Sequence, residues 1–581
     1  MKRSKFIPAA ACVALAACAP AVQQPVTTAP STSVSALPAS NPFAAPSTLP
    51  YQTPDFSKIH NSDYEPAFNA GMAQQIAEID VIANNTAAPT FDNTIIELEK
   101  SGVILTRVSK VFNALTGANT NDSLQHTQEV LAPKLASHSD AIFLNDKLYQ
   151  RVKSLYDRRD ALGFDGDRKA LVEYYYKNFV RAGANLPESE KAKLRELNKE
   201  ESSLITEFQN HLLAATKAGA LIIDNVKDLD GFSEGEIAAA ADAAKQRGLT
   251  GKWVIPLQNT TQHPAQQSLK NRAVRERLFK ASTMRAEHSD SNDTRGIIKR
   301  LAQLRADKAK LLGFPTYSAY ALDNQMAKNP ENATKLLTNL VPASVAKARS
   351  EIAQMQALID SEKGGFKLAP WDYQYYAEQV RKAQYALDES QLKPYFELNH
   401  VLQDGVFFAA NKLYGLTFKE RKDLPVYHPD VRVFEVFDAD GKSLALFYAD
   451  YFKRDEKGGG AWMDNFVDQN AIAGTKPVVY NVANFTKPGP GQPALLTFSD
   501  VTTMFHEFGH ALHGMLSNVK YPSISGANTP RDFVEMPSQF NEHWALEPTV
   551  FANYAKHYST GALMPQSLVD KIRKAKTFNQ G

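Results

Sequence analysis

From Phe56 onward, apolar residues recur along most of this chain at three- and four-residue spacing, the period of helices with one buried stripe. The stretch LPESEKAKLRELNKEESSLITEFQNHLLAATKAGA (186–220) shows the pattern well. Pro187 and the acidic residues after it open the segment, and Leu194, Leu197, Leu204, Ile205, Phe208 and Leu212 form its apolar side. Segments 91–115, 123–159, 265–312, 331–362 and 375–415 repeat it, and all read as structural walls of a mainly α protein. Period-two alternation comes late. VRVFEVFDADGKSLALFYADYF (431–452) alternates on both sides of Asp440-Gly441, which predicts a hairpin, and KPVVYNVANF (476–485) predicts a further strand. Between them, KGGGAW (457–462) lacks the Lys-Ser/Thr of a phosphate loop, so its glycines are expected to admit another backbone at close range. A small sheet is therefore expected directly before the segment TTMFHEFGHALHG (502–514).

In that segment the pattern changes meaning. At about 100° per residue, His506, His510 and His513 share a narrow arc, while Met504, Phe508, Ala511, Leu512 and Met515 face the other way. The chain has 13 histidines in 581 residues, so three within eight positions call for a chemical reason. His506-Glu507-x-x-His510 supplies one. Imidazoles at i and i+4 are close enough to share a tetrahedral Zn²⁺, and the glutamate between them can take a proton from a water molecule. Ser499 is the expected cap of this helix, with Asp500 in its first turn. A catalytic zinc takes a third protein ligand. His513 and Glu535 compete for that role. A straight helix wraps three ligands poorly around one ion, whereas Glu535 is expected on a separate helix capped by Asn528 or Thr529, with Pro530 at its first position. On that helix Asp532, Glu535 and Gln539 share a side, and Phe533, Met536 and Phe540 are expected to anchor the other.

Composition adds bounds. The length allows about three to four ordinary domains or one large helical body. Hydrophobic residues at 43% supply a sizeable core, and a formal net charge of +2 offers no basic surface for nucleic acid. The N-terminus departs from this picture. MKRSKFIPAAACVALAACAP has a basic start and a short apolar run, which predicts a signal peptide over residues 1–17. LAAC before the mature chain resembles a bacterial lipobox, making Cys18 the expected lipidated residue and membrane anchor. Ala19 after it favours the outer membrane facing the periplasm; a plain signal peptide and a soluble periplasmic protein are the alternative. The two cysteines, Cys12 and Cys18, are both consumed at this end, which excludes a thiol nucleophile and thiolate metal sites. Residues 19–50 contain no Asp, Glu, Lys or Arg and read, with Cys18, as a disordered tether spanning roughly 30 Å. Helical lobes are expected over 51–430 and a catalytic region over 431–581.

HEFGHALH, followed 25 residues after His510 by the glutamate of FVEMPSQF, resembles the thimet-oligopeptidase family of zinc peptidases, and within it the peptidyl-dipeptidase branch. NPFAAPSTLPYQTPDF, PTFDNTIIELEKSG, FYADYFKRDEKGGGAWMDNF and MPSQFNEHWALEP carry the resemblance over nearly the whole chain after the tether. It implies a mainly helical, two-lobed zincin with a deep central channel that admits short unfolded peptides, acting as a monomer with one Zn²⁺. Carried over residue by residue, it makes His506, His510 and Glu535 the metal ligands and Glu507 the general base. It places substrate backbone along an edge strand near Gly459, Gly460 and Ala461. The implied activity is release of dipeptides from peptide C-termini, with internal cleavage as the alternative. The family's Gly- and Tyr-rich oxyanion loop has no counterpart before Gly581, 46 residues after Glu535. That difference carries a further expectation, of a zinc-containing, lipid-anchored protein that binds peptides and turns them over slowly.

Overall fold

The computed structural model describes residues 37–385, 389–489 and 491–581. The expected signal peptide and Cys18 lie outside them. Among the described residues no helix is long and apolar enough to cross a membrane. Leu37–Gly581 forms one compact unit.

Helices dominate, as the three- and four-residue spacing predicts. Residues 186–220 form one helix, Glu188–Ala218. Other periodic segments are interrupted: 91–115 breaks at Ser101-Gly102 before the helix Val103–Ala118, and 123–159 breaks after Phe143. A two-stranded sheet pairs β1 (Leu221–Ile223) with β2 (Trp253–Ile255). The larger sheet has five strands: β3 (Thr417–Glu420), β4 (Arg432–Phe437), β5 (Ser443–Phe452), β6 (Trp462–Val467) and β7 (Val478–Phe485). Their order is β3-β4-β5-β7-β6, with only β5 and β7 parallel. The hairpin read around Asp440-Gly441 is the β4–β5 turn, closed by Asp438 N–H donating to Lys442 O at 2.8 Å. β6 is left at the edge.

Side chains of a strand alternate between faces, and here both faces are covered. Phe447, Ala449, Val479, Ala483 and Phe485 pack with Met504, Phe505, Phe508, Ala511 and Met515 of the motif helix, Phe498–Met515. Leu446, Tyr448, Val478, Tyr480 and Val482 pack with Phe43, Tyr64, Phe68 and Phe112. The sheet is thus a middle layer between the motif helix and the N-terminal helices. Leu424, Val431 and Val433 belong to the same core as Tyr64 and Phe112, so residue 430 does not separate two independently packed bodies. The expected tether also ends earlier than residue 50. Phe43 is buried in this core, and Arg107 Nη1 donates to its carbonyl at 2.7 Å.

Two apolar helix faces pack differently. In the last helix, Gln566–Ala575, Val569 and Ile572 are buried against the main core, and Phe578 beyond it packs edge-on to Tyr385. In contrast, the helix Pro330–Ser361 buries Met355 and Ile359 but leaves Leu336, Leu337, Leu340 and Val341 exposed, because its first half projects beyond its packing partners.

The motif helix also meets the helix Glu535–Glu542 at very short range. A Cβ on Gly509 would lie 2.7 Å from Ser538 Cα and 2.8 Å from Asn541 Cβ. Only glycine fits there without pushing backbone aside. Gly509→Ala is expected to cost about 1–3 kcal/mol of stability, the usual range for overpacking, read as a lower midpoint in a denaturant melt. An unchanged midpoint would show that the two helices separate freely.

Candidate active site

The motif helix is held at its start by Thr497, not Ser499. Thr497 Oγ1 accepts from Asp500 N–H at 3.1 Å, and Asp500 Oδ2 accepts from Thr497 N–H at 3.0 Å. This reciprocal pair satisfies two backbone donors at once, which a serine two residues later does not do. The helix body is then fixed at two carbonyls. Asn481 of β7 donates to Glu507 O at 2.8 Å, and Asn541 donates to Phe505 O at 2.6 Å.

On the other side of the crossing, Pro530 does not start the helix. Phe533 and Val534 N–H both donate to its carbonyl in tight turns, and the helix begins at Glu535 itself. Asp532 is occupied elsewhere, accepting from the backbone N–H groups of Met326 and Ala327 at 2.9 Å each. Met536 and Phe540 are exposed rather than anchoring; the helix is held instead by its small and polar side, Ser538 and Asn541, against Gly509. That choice turns Glu535 toward the histidines.

Glu535 Oε2 lies 3.1 Å from His506 Nε2 and 3.0 Å from His510 Nε2. Among the described residues, these three side chains bring one ligand atom each within 4.8 Å of one another. His513 stays apart, with its Nδ1 buried and its pKa lowered by burial. Glu542, which the sequence reading passed over, sets the His506 ring: its Oε1 lies 2.7 Å from His506 Nδ1, leaving Nε2 aimed at the cluster. Its signal was its position two turns after Glu535 on one helix face. Ser538 Oγ donates to Glu535 Oε2 at 2.9 Å. Burial tends to raise the Glu535 carboxyl, but Ser538 and the two imidazoles hold it below the usual carboxylate range. Two imidazole nitrogens and one carboxylate oxygen make a donor set suited to a divalent transition metal.

Glu507 stands beside this cluster and is not part of it. Its side chain is 6% exposed, and among the described residues no donor reaches Oε2. Burial pushes its carboxyl up to about 7, with His506 pulling the other way and Glu535 adding to the rise. A carboxyl near neutrality can hold or release a proton at modest cost, which is what a general base and acid requires.

Gly459, Gly460 and Ala461 immediately precede the edge strand β6. The loop is pinned from beneath. Lys457 Nζ donates to Asp450 Oδ1 and Phe452 O at 2.7 Å and to Ala483 O at 2.9 Å. Burial alone would raise Asp450; Arg454 and Lys457 beside it hold it below the carboxylate range. The close backbone approach expected of the glycines occurs at Gly458, whose N–H donates to Gly117 O at 2.8 Å. A cavity of about 930 Å³ opens beside the loop, lined by Gly460, Ala461 and Asn484 and by Asp500 and Thr503 of the motif helix. Thr503 lies one turn before Glu507. The cluster of His506, His510 and Glu535 itself stands at a more open place, with the Glu535 side chain 50% exposed.

Comparison with known proteins agrees with this chemistry. The profile of peptidase family M3 matches residues 265–581. Dipeptidyl carboxypeptidase of Escherichia coli (strain K12) is 54% identical over 526 residues, covering 90% of this chain and 77% of the relative. The dipeptidyl carboxypeptidase of Salmonella typhimurium is 51% identical over the same shares. Oligopeptidase A of Escherichia coli is 33% identical over 531 residues, or 90% of this chain and 78% of the relative. The chain belongs to peptidase family M3, the family to which the HEFGH and FVEM segments pointed, and is a metallopeptidase.

Proposed function

We propose that this chain is a zinc peptidyl-dipeptidase that removes dipeptides from the C-termini of short unfolded peptides. The observation that carries the reading is Glu507, a buried carboxyl with an unpartnered oxygen beside the His506, His510 and Glu535 cluster. Similarity to two dipeptidyl carboxypeptidases at 54% and 51% identity supports the exo-acting form.

His506, His510 and Glu535 would hold one zinc ion, with Glu542 fixing the His506 tautomer and Ser538 orienting Glu535. Bound there, zinc supplies Lewis-acid polarisation of a carbonyl and lowers the pKa of a coordinated water. The rest of the chemistry belongs to the protein. Glu507 accepts a proton from the attacking water as it adds to the scissile carbonyl carbon. The same carboxyl then delivers that proton to the leaving amine nitrogen, so the peptide C–N bond breaks without forming a free amide anion. Burial of Glu507 excludes bulk water from this exchange. The backbone of Gly459 to Ala461, ahead of edge strand β6, offers an extended peptide the main-chain partners it needs.

Oligopeptidase A at 33% identity favours a second reading, cleavage within the peptide. Products from one peptide with a free and an amidated C-terminus separate the two. The dipeptidase reading expects successive C-terminal dipeptides from the free form and a roughly ten- to hundredfold slower reaction with the amide, the effect of losing a charged hydrogen-bond partner. Equal rates with internal fragments would establish the oligopeptidase.

Substitutions separate the roles of the two glutamates. Glu507→Gln is expected to keep one zinc per chain and lose about 10²- to 10⁴-fold in turnover, the contribution of a positioned base. Near-normal hydrolysis by this variant would sink the mechanism. Glu535→Ala should lose zinc in metal analysis after dialysis, whereas His513→Ala should retain it; the reverse pattern would make His513 the third ligand.

A further inference from the structure

We propose that Lys393 binds the C-terminal carboxylate of the substrate and so sets the length of the fragment released. The inference rests on the peptidyl-dipeptidase reading and names the residue responsible for it. A peptidase that releases dipeptides must hold a free carboxylate two residues beyond the scissile bond. Taken out of bulk water, that carboxylate needs a cation with N–H groups to offer. The cavity of about 930 Å³ beside the glycine loop is the place to look, because Asp500 and Thr503 of the motif helix also line it. Asp500 stands two turns before Glu507, about 10 Å along the axis at 1.5 Å per residue. Two extended residues span about 7 Å, and a charge-assisted hydrogen bond adds about 3 Å. The carboxylate of a peptide held beside Glu507 and running along this cavity therefore arrives level with Asp500.

Among the described residues, the basic side chains lining the cavity are His263, Arg381, Lys382 and Lys393. Burial lowers His263, and Arg285 adds to the effect, which favours its neutral form. Arg381 is engaged by Glu378 at 2.6 and 2.8 Å and lies 3.5 Å from Glu389. Lys382 stands 3.9 Å from the same Glu378. Lys393 differs. An ammonium has three N–H donors, and among the described residues Glu236 Oε1, at 3.2 Å, is the one acceptor within reach of this one. The other Glu236 oxygen is occupied by Ser233, whose N–H and hydroxyl donate to it at 2.9 and 2.8 Å. Burial raises the Glu389 and Asp500 carboxyls in spite of Lys393 nearby, so neither competes strongly for its charge. The Lys393 side chain is 28% exposed, so a ligand in the cavity can touch it. Its backbone is held: Phe396 N–H donates to Lys393 O at 3.0 Å, and Tyr558 N–H donates to Pro394 O at 2.9 Å. Two spare N–H donors on an anchored cation match the two oxygens of a carboxylate.

The test compares kcat/KM of the zinc-loaded chain for one pentapeptide with a free and an amidated C-terminus. For the unsubstituted enzyme the free form is expected to be favoured about ten- to a hundredfold, the scale of a charged hydrogen bond. Lys393→Met keeps the stem without the charge and is expected to bring that ratio down to about one, with the loss appearing in KM for the free peptide. Lys393→Arg keeps the charge and should hold the ratio well above that of Lys393→Met. Glu236→Gln separates recognition from a merely structural ion pair. It removes the pair and leaves the cation, so the ratio should hold or rise. A ratio unchanged in Lys393→Met overturns the proposal, and so does a ratio that collapses in Glu236→Gln. Should the methionine variant fail to fold, the Glu236→Gln result decides alone. An unsubstituted enzyme that cuts both forms equally would instead defeat the exo-acting reading, so the two failures are distinct.

Discussion

Backbone contact between the motif helix and the helix of Glu535 at Gly509 is the constraint on which the site depends. With Gly509 against Ser538 and Asn541, the helices approach closely enough for Asn541 to reach the Phe505 carbonyl. Once they are that close, Glu535 meets both imidazoles and Glu542 meets the far nitrogen of His506. A larger residue at 509 would move all of these contacts together, because they project from the same short helix. The glycine inside HEFGH is thus a packing residue with a chemical consequence.

Strand β7 serves as the second fixed reference. All eight of its residues are buried, yet two of them are asparagines. Asn481 holds the motif helix through the Glu507 carbonyl, and Asn484 holds the glycine loop through two carbonyls. Buried amides are costly unless they are hydrogen-bonded. Here their donor ends are used to tie a helix on one side and a loop on the other to one strand. Glu507 and the expected substrate edge are therefore positioned relative to the same backbone, with the Lys457–Asp450 pair securing the loop from below.

The electrostatics of the site follow from depth. Glu535 is half-exposed and stabilised in its charged form by Ser538 and two imidazoles, which suits a ligand. Glu507, a few ångströms of helix away and deeply buried, is pushed toward neutrality, which suits proton transfer. Two glutamates thus acquire opposite characters from their surroundings.

Much of this was legible in the sequence, and the boundary is physical. Helical class, the β4–β5 hairpin and the shared face of His506 and His510 arise from local periods of two and 3.6 residues, which a short window of sequence contains. The cap was misread at Ser499 because Thr497 and Asp500 act as a reciprocal pair, three residues apart. Glu535 was preferred over His513 because one straight helix wraps three ligands poorly, and the family resemblance agreed, while the start of its helix and the exposure of Met536 and Phe540 depended on which side packs against Gly509. Asn481 and Asn484 gave almost no local signal, since a polar residue in a strand covered on both faces breaks no alternation. The sequence alone determined that two imidazoles and a carboxylate share one helix, because a helix places its own neighbours. Only the tertiary structure decided how closely Glu535 approaches that helix and which amides hold it there, because those distances are set by long-range packing at one glycine and one buried strand.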